Sequence, residues 1–373
     1  MPSLLDKILK LVLQEYFDLR PGFIIENMQG HKIRNCFYSE SALVGLEKKL
    51  DASKLEKIAY GSGKEFGHSY ARKAYLPNYN SPLAKLALDV LFKNFESVIA
   101  TRTTADNETK LSYEVDFKEK TITLSLRNVI VCRKTGVSNW LDGALAGMFA
   151  FFFEDDSIET THLKCQGRGD AACEYVFAPS GKVKPKISCA NFEKNIVPNE
   201  YLIYNTPFEV QADYGLETLS KYGFTKYSES SFEIKGERFI PLEASFSHIL
   251  EKNLAKQGKN ADKLVLEPVR KAFAEFSKNA TGGRLSKSDS IDYACKWLSA
   301  LGWGFVGQYP GRQSIFVQGF PWTPELEIAK KSAYFQGALE GILSGAGGVS
   351  FETSVSKKSI QNSRLDLIID LKT

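Results

Sequence analysis

"GALAGMF" at residues 143–149 returns as "GALEGIL" at 337–343, 194 positions further along the chain. A second pair stands in the same order: "SALVGLEKKL" (41–50) matches "SFSHILEKNL" (245–254) at an offset of 204. Collinear matches at similar offsets indicate an internal duplication. At 373 residues the chain is also too long for one ordinary domain. The expected organisation is two tandem copies of one domain, residues 1–180 and 200–373, joined by a Lys- and Pro-rich linker over 181–199.

Both copies run through a similar series of elements. Each opens on extended segments with turn signals, "GFIIENMQGHKIRNCF" and "SSFEIKGERFIPL". Helical spacing follows over 41–50, 55–73 and 82–97 in the first copy, and over 245–255, 261–278 and 288–300 in the second. "KLSYEVDF" and "TITLSLRNVIVC" alternate at period two, and "GWGFVGQYPGRQSIFVQGF" reads as a hairpin. The GALxG helix comes next, with Thr323-Pro324 as its cap and first-turn proline in copy two, and a last hairpin closes each copy. Antiparallel strands with helices beside them define an α+β domain. Glycines at i and i+4 in the GALxG helix cost about 1 kcal/mol each relative to alanine. The expected compensation is close approach of that helix to a sheet or to its counterpart in the other copy.

Composition narrows the function classes. The chain is 43% hydrophobic and 25% charged, with 25 Phe and 16 Tyr, enough aromatic bulk for large cores or apolar cavities. A net charge of +4 among 48 basic and 44 acidic residues gives no basis for nucleic-acid binding. The first 17 residues, "MPSLLDKILKLVLQEYF", read as an amphipathic helix without a signal peptide's apolar core or cleavage site. The longest apolar run, "GALAGMFAFFF" (143–153), has 11 residues, whereas a membrane span needs about 20. No membrane span and a cytoplasmic location are therefore expected, where thiols stay reduced. Six cysteines in this length do not make a disulfide scaffold.

Against that background "HLKCQGRGDAACEYVF" (162–177) stands out. Its Arg168-Gly169-Asp170 reads as a tight turn and not as an adhesion signal. Cys165 and Cys173 flank the turn, so their sulfurs can meet, either as a zinc half-site or as a coincidental pair of thiols. His162 strengthens the metal reading. Residues three apart on a regular strand point to opposite faces, so His162 and Cys165 share a metal only if the strand bends or ends near Lys164. A fourth ligand must come from elsewhere, with Asp142 and Cys132 as the candidates. Copy two has Gln336, Ser359 and Leu367 at the positions of Asp142, Cys165 and Cys173, so the fold does not require the site.

The run "GALAGMFAFFFEDDSIETTHLKCQGRGDAACEYVF" resembles the signature of the vinyl-4-reductase, or hydrocarbon-binding, domain, and "EKIAYGSGKEFGHSYARK" is similar to that family's first-helix pattern. The resemblance covers most of residues 25–178 and reaches copy two through the repeat. It implies a fold like the small subunits of the TRAPP vesicle-tethering complex, with a ligand cavity or dimer surface, and hence an intramolecular pseudo-dimer. The phenol-sensing transcription regulators of this family hold a zinc ion, and their ligand positions correspond to Asp142, His162, Cys165 and Cys173. This chain departs from them in having Asp142 for a Cys and His162 for a Glu. Four protein ligands make such a zinc structural, because no position stays open for catalysis. The ligand implied is a small apolar or aromatic molecule. Phe66, Tyr70, Trp140, Phe149 and Phe152 either line its cavity or are ordinary core, and His68 either donates to a phenol-like ligand or is a satisfied core histidine.

Signs of catalysis are lacking. "YGSGKEFG" (60–67) misses the spacing of a phosphate loop and lies in a helical pattern. G-x-S-x-G, H-E-x-x-H and a dinucleotide fingerprint are missing, and the four histidines suggest no acid–base constellation. The expectation leans away from an enzyme. Three classes remain: a small-molecule binding or sensing protein that signals through a separate partner, a protein-interaction scaffold or homodimer, and an accessory factor in tetrapyrrole or hydrocarbon metabolism.

Overall fold

The computed structural model describes residues 17–20, 22–28, 31–98, 111–194, 232–309, 312–321, 332–361 and 364–372. The amphipathic segment expected over 1–17, apart from Phe17, and residues 322–331, including Thr323 and Pro324, therefore lie outside the described residues. In the first half, β1 (Phe17–Arg20), β2 (Phe23–Met28) and β3 (His31–Ser39) lead into α1 (Glu40–Ala52), α2 (Glu56–Lys73) and α3 (Ala84–Val98). Then come β4 (Ser112–Asp116), β5 (Thr121–Leu126), the one-turn α4 (Cys132–Thr135), α5 (Asn139–Phe153), β6 (Ile158–Lys164) and β7 (Cys173–Pro179). The second half repeats the order with β8 (Phe232–Ile234), β9 (Glu237–Glu243), α6 (Phe246–Lys256), α7 (Glu267–Thr281) and α8 (Lys287–Ala300). It closes with β10 (Phe305–Gln308), β11 (Ser314–Phe320), α9 (Ala333–Gly347), β12 (Glu352–Gln361) and β13 (Arg364–Lys372). The expected mixture of helices and antiparallel sheets is what the chain forms. Helix α9 is capped by Ser332, whose hydroxyl accepts from the Phe335 N–H, in place of the expected Thr323.

Two four-stranded sheets share one strand order, β4-β5-β7-β6 in the first half and β10-β11-β13-β12 in the second. The third sheet belongs to both halves, in the order β1-β2-β3-β9-β8. At its centre β3 pairs antiparallel with β9, and Phe37 lies opposite Pro241. Pro241 is the residue 204 positions after Phe37, the offset of the 41–50/245–254 sequence match, so the register is symmetric about that pair. The helices also cross over. Helix α6 packs on α2, where Asn253 Nδ2 donates to Ser62 Oγ and Glu65 Oε2 at 3.0 Å each. Reciprocally, α1 packs on α7. One hydrophobic cluster runs through both halves, from Ile24 to Leu371. The boundary segment packs as well: Ser188 Oγ and Cys189 N–H donate to Glu159, and the Phe192 ring meets His68 at 5.4 Å.

The GALxG glycines are explained by helix contact. In each half the glycines of this helix face the second long helix of the same half, and not a sheet or the opposite copy. A Cβ on Gly143 or Gly147 would overlap the carbonyl oxygen of Tyr60 or Lys64 in α2. Helix α2 reciprocates, since a Cβ on Gly63 or Gly67 would overlap the carbonyl oxygen of Trp140 or Ala144. These glycines of "YGSGKEFG" therefore serve backbone-to-backbone packing. In the second half Gly341 and Gly345 meet the carbonyls of Arg270 and Ala274 in α7 in the same way.

The two glycine helices start on the same device. Glu47, from the 41–50 repeat match, accepts from the Asn139 N–H at 2.9 Å and from its side-chain amide at 2.6 Å. Its counterpart Glu251 accepts from the N–H groups of Ala333 at 2.8 Å and Tyr334 at 3.0 Å. A carboxylate here satisfies orphan donors and complements the helix dipole. Burial nevertheless dominates and pushes the Glu251 pKa from 4.5 to about 7, with its backbone hydrogen bonds opposing the shift. The folded chain thus takes up a proton at Glu251 between those two values. Its contribution to stability is complete below pH 4.5 and is lost as pH rises through 7. A Glu251→Gln chain should therefore gain stability relative to the parent by about 3 kcal/mol between about pH 4.5 and about pH 8, read from urea unfolding. Parallel stability profiles for the two proteins would refute this.

Candidate metal centre

Three cysteines and one histidine converge at the end of the sheet formed by β4, β5, β7 and β6. The ligand-type atoms of Cys132, His162, Cys165 and Cys173 all lie within 4.8 Å of one another. Cys132 Sγ is 3.2 Å from Cys173 Sγ, and Cys173 Sγ is 4.0 Å from Cys165 Sγ. All three cysteines are fully buried, and all six in the chain are free thiols.

Local structure brings each group in. The β6–β7 register shifts between His162 and Lys164, where β6 ends. That bulge is the bend the sequence required, and it turns Leu163 outward. Cys165 then enters a single 3₁₀ turn, Gln166–Arg168, closed by Asp170, whose Oδ2 accepts from the Cys165 N–H at 2.7 Å. Gly169 takes φ +97°, which an L side chain rarely adopts. Gly167 is set by space, since a Cβ would overlap the Cys132 carbonyl oxygen. The Arg-Gly-Asp run is thus a tight turn folded over α4.

Cys132 arrives by a less regular route. Val131 sits at φ 62°, ψ −64°, with the Cys132 N–H reaching back to the Ile130 carbonyl at 2.6 Å. That is the rarer form of γ-turn, and a β-branched residue there stores strain on the order of 1–3 kcal/mol. Glu40 braces it: its buried carboxylate accepts from the Val131 N–H at 3.3 Å and from Arg133 Nη2 at 2.6 Å. Lys134 Nζ and Arg238 Nη1 lie 2.9 and 3.8 Å from it. Burial raises the Glu40 pKa, but Arg238 and Arg133 more than reverse this and hold it below the usual value. Because Arg238 lies on β9, the turn that delivers Cys132 is tied to the second half.

Asp142, named at the sequence level as a ligand position, stands beside the cluster. Its Oδ2 is 3.6 Å from His162 Nδ1, and the fourth atom in the group is Cys132 Sγ. The His162 ring stacks on Tyr175, 4.1 Å between centroids and 24° between planes. Sequence reasoning passed over Tyr175, although its place two residues after Cys173 puts it on the same strand face. Electrostatics prepares the sulfurs. The Cys132 thiol and the His162 ring lower the pKa of Cys173, burial opposing, while hydrogen bonding to Cys165 and Cys173 raises that of Cys132. Burial disfavours the His162 cation, but Asp142 and Cys173 outweigh it and lift the pKa to about 9.

The donor set fits a zinc-type ion. Ligands at about 2.3 Å around a tetrahedral ion place sulfurs roughly 3.8 Å apart, and 3.2 and 4.0 Å bracket that spacing. Both ring nitrogens of His162 are buried without a hydrogen-bond partner, which is costly unless something binds them. The second half has nothing similar at the equivalent positions: Gln336 donates to Glu340 and the Thr353 carbonyl, Ser359 lies opposite Asp366, and Leu367 lies opposite Lys358.

The six residues named for an apolar ligand are distributed through the core. Phe149 packs on Phe177 at 4.7 Å and Phe152 on Phe153 at 4.9 Å. Phe66 and Trp140 both meet Phe246 of the second half, at 5.5 and 4.8 Å. His68 lies edge-on to Phe151 and Phe192, and burial pulls its pKa down to about 4. Tyr70 donates to Glu26 at 3.0 Å. Of the six, Tyr70 alone lines an apolar cleft between α2, α3 and α5 whose walls include Ala74, Leu76, Val90, Leu91 and Met148. Among the described residues, no helix is long and apolar enough to cross a membrane. No family model and no curated protein matches this chain.

Proposed function

We propose that this chain is a non-catalytic binding protein, built as an intramolecular pseudo-dimer, with a structural zinc ion in its first half held by Cys132, His162, Cys165 and Cys173. The observation that carries the reading is the convergence of these four donors within 4.8 Å around a histidine whose ring nitrogens are buried without a hydrogen bond. Zinc would supply a tetrahedral cross-link between α4 and the β6–β7 turn and leave no open position for substrate. The symmetric β3–β9 register and the paired roles of Glu47 and Glu251 support the pseudo-dimer. A small apolar or aromatic molecule as ligand rests on the resemblance to the hydrocarbon-binding domain; the apolar cleft beside Tyr70 has room for about one water molecule and must open to admit it. Its walls are alkyl groups and one ring, a lining that binds by area and not by hydrogen bonding.

Metal analysis and native mass spectrometry of the purified chain test this. One zinc per chain is expected, lost in a Cys165→Ser/Cys173→Ser variant, with a chelator lowering the melting temperature of the parent alone. Metal-free protein whose melting temperature ignores added zinc would sink the centre. A bound mass of a few hundred daltons, released on denaturation and lost in Met148→Trp, is the expected sign of the ligand. Protein that never retains such a mass, even when incubated with phenols or alkanes, would sink that part.

A further inference from the structure

We infer that Asp142 is the positioning residue of this centre: it holds the His162 ring by Nδ1 so that Nε2 faces the three sulfurs, and it is not itself a ligand. The inference rests on the zinc reading above and deepens it. Asp142 lies in the first turn of α5 and is 8% exposed. Its backbone carbonyl accepts from Thr160 Oγ1 at 2.8 Å, which ties that turn to β6, the strand that carries His162. Its Oδ2 faces Nδ1 at 3.6 Å, and its Oδ1 is buried without a partner. Tyr175 stacks on one face of the imidazole and limits its tilt toward that side.

Three sulfurs and one imidazole already complete a tetrahedral set, and a fifth donor has no vertex to occupy. A neutral imidazole that ligates through Nε2 carries its proton on Nδ1, and that proton needs an acceptor. Among the described residues Asp142 is the carboxylate beside Nδ1, and a shift of a few tenths of an ångström makes the hydrogen bond. Such an outer carboxylate fixes both tautomer and ring direction. The placement of Asp142, one turn into a helix whose glycines lock it against α2, keeps that acceptor stationary.

The test uses full-length protein with ¹⁵N-labelled histidine, loaded with zinc. Long-range ¹H–¹⁵N correlation should show His162 protonated at Nδ1 and metal-bound at Nε2. In Asp142→Asn, zinc affinity measured against a chelating dye should fall about 10- to 100-fold. The ¹¹³Cd resonance of the cadmium-substituted variant should stay where the parent's is, whereas Cys132→Ser should move it. Ligation through Nδ1, a cadmium resonance that moves in Asp142→Asn as it does in Cys132→Ser, or an unchanged affinity would each overturn the assignment. The tautomer measurement needs no variant and so survives a failure of Asp142→Asn to fold. A parent chain that takes up no zinc is a separate outcome, which removes the metal reading and this inference with it.

Discussion

Replacing Gly147 by alanine should cost more than about 3 kcal/mol of folding free energy, although alanine is the better helix former by about 1 kcal/mol. The added methyl would overlap the Lys64 carbonyl oxygen, with Lys64 C and Cα at 2.7 and 2.9 Å. Those are backbone atoms of a buried helix and cannot turn aside as a side chain would. Separating α5 from α2 would also pull Gly63 and Gly67 off the Trp140 and Ala144 carbonyls, because the contact is reciprocal. A domain of this kind holds only about 5–15 kcal/mol in total, so the variant should show a large drop in its urea midpoint or fail to fold. Gly181→Ala is the control: a Cβ there meets nothing within 4 Å, and its effect should stay within about 0.5 kcal/mol. Equal midpoints for the two variants would show that the helices separate at little cost.

The helices and most outer strands were legible because their cues are local, but the strand read over 121–132 ends at Leu126 and Cys132 begins a helical turn. Periodicity over 55–73 and 288–300 anticipates α2 and α8 to within a residue or so. Both sequence offsets recur in the contacts, since Glu47 and Glu251, 204 apart, hold the starts of helices that stand 194 apart. The central sheet was not, since β3 and β9 are about 200 residues apart and each pairs with its own counterpart, a contact no local pattern encodes. Gly63 and Gly67 were recognised only as helical and not as partners of Gly143 and Gly147, because a glycine's use shows only when its neighbour is known. At the Cys/His cluster, strand geometry correctly demanded a bend at Lys164. It could not choose between Cys132 and Asp142. That choice turns on the positive φ of Val131, and valine is among the last residues from which such a turn would be expected.

Removing the carboxylate of Glu159 should be as damaging as the glycine substitution, for an electrostatic reason. Lys64 and Glu159 are both fully buried, with Nζ and Oε1 3.1 Å apart. Glu159 Oε1 also accepts from the Cys189 N–H at 2.9 Å and Ser188 Oγ at 3.1 Å, and Oε2 accepts from Tyr60 at 2.6 Å. Lys64 has the Asp156 carbonyl at 3.0 Å and the Phe192 ring at 5.2 Å, neither of which carries a balancing charge. Glu159→Ala leaves an ammonium uncompensated in the interior and should cost about 3–5 kcal/mol. It also releases Ser188 and Cys189, so the segment around them should become a site of early proteolytic cleavage. Lys64→Met/Glu159→Leu removes both charges and fills the space, and such a replacement is often neutral or stabilising. The double variant is therefore expected to be more stable than Glu159→Leu alone by several kcal/mol, a non-additivity that the cycle of Lys64→Met, Glu159→Leu and the double variant measures directly. Losses from the single changes that simply add would mean that solvent reaches the pair and screens it, contrary to the burial that makes Glu159 the hub joining α2, β6 and the boundary segment.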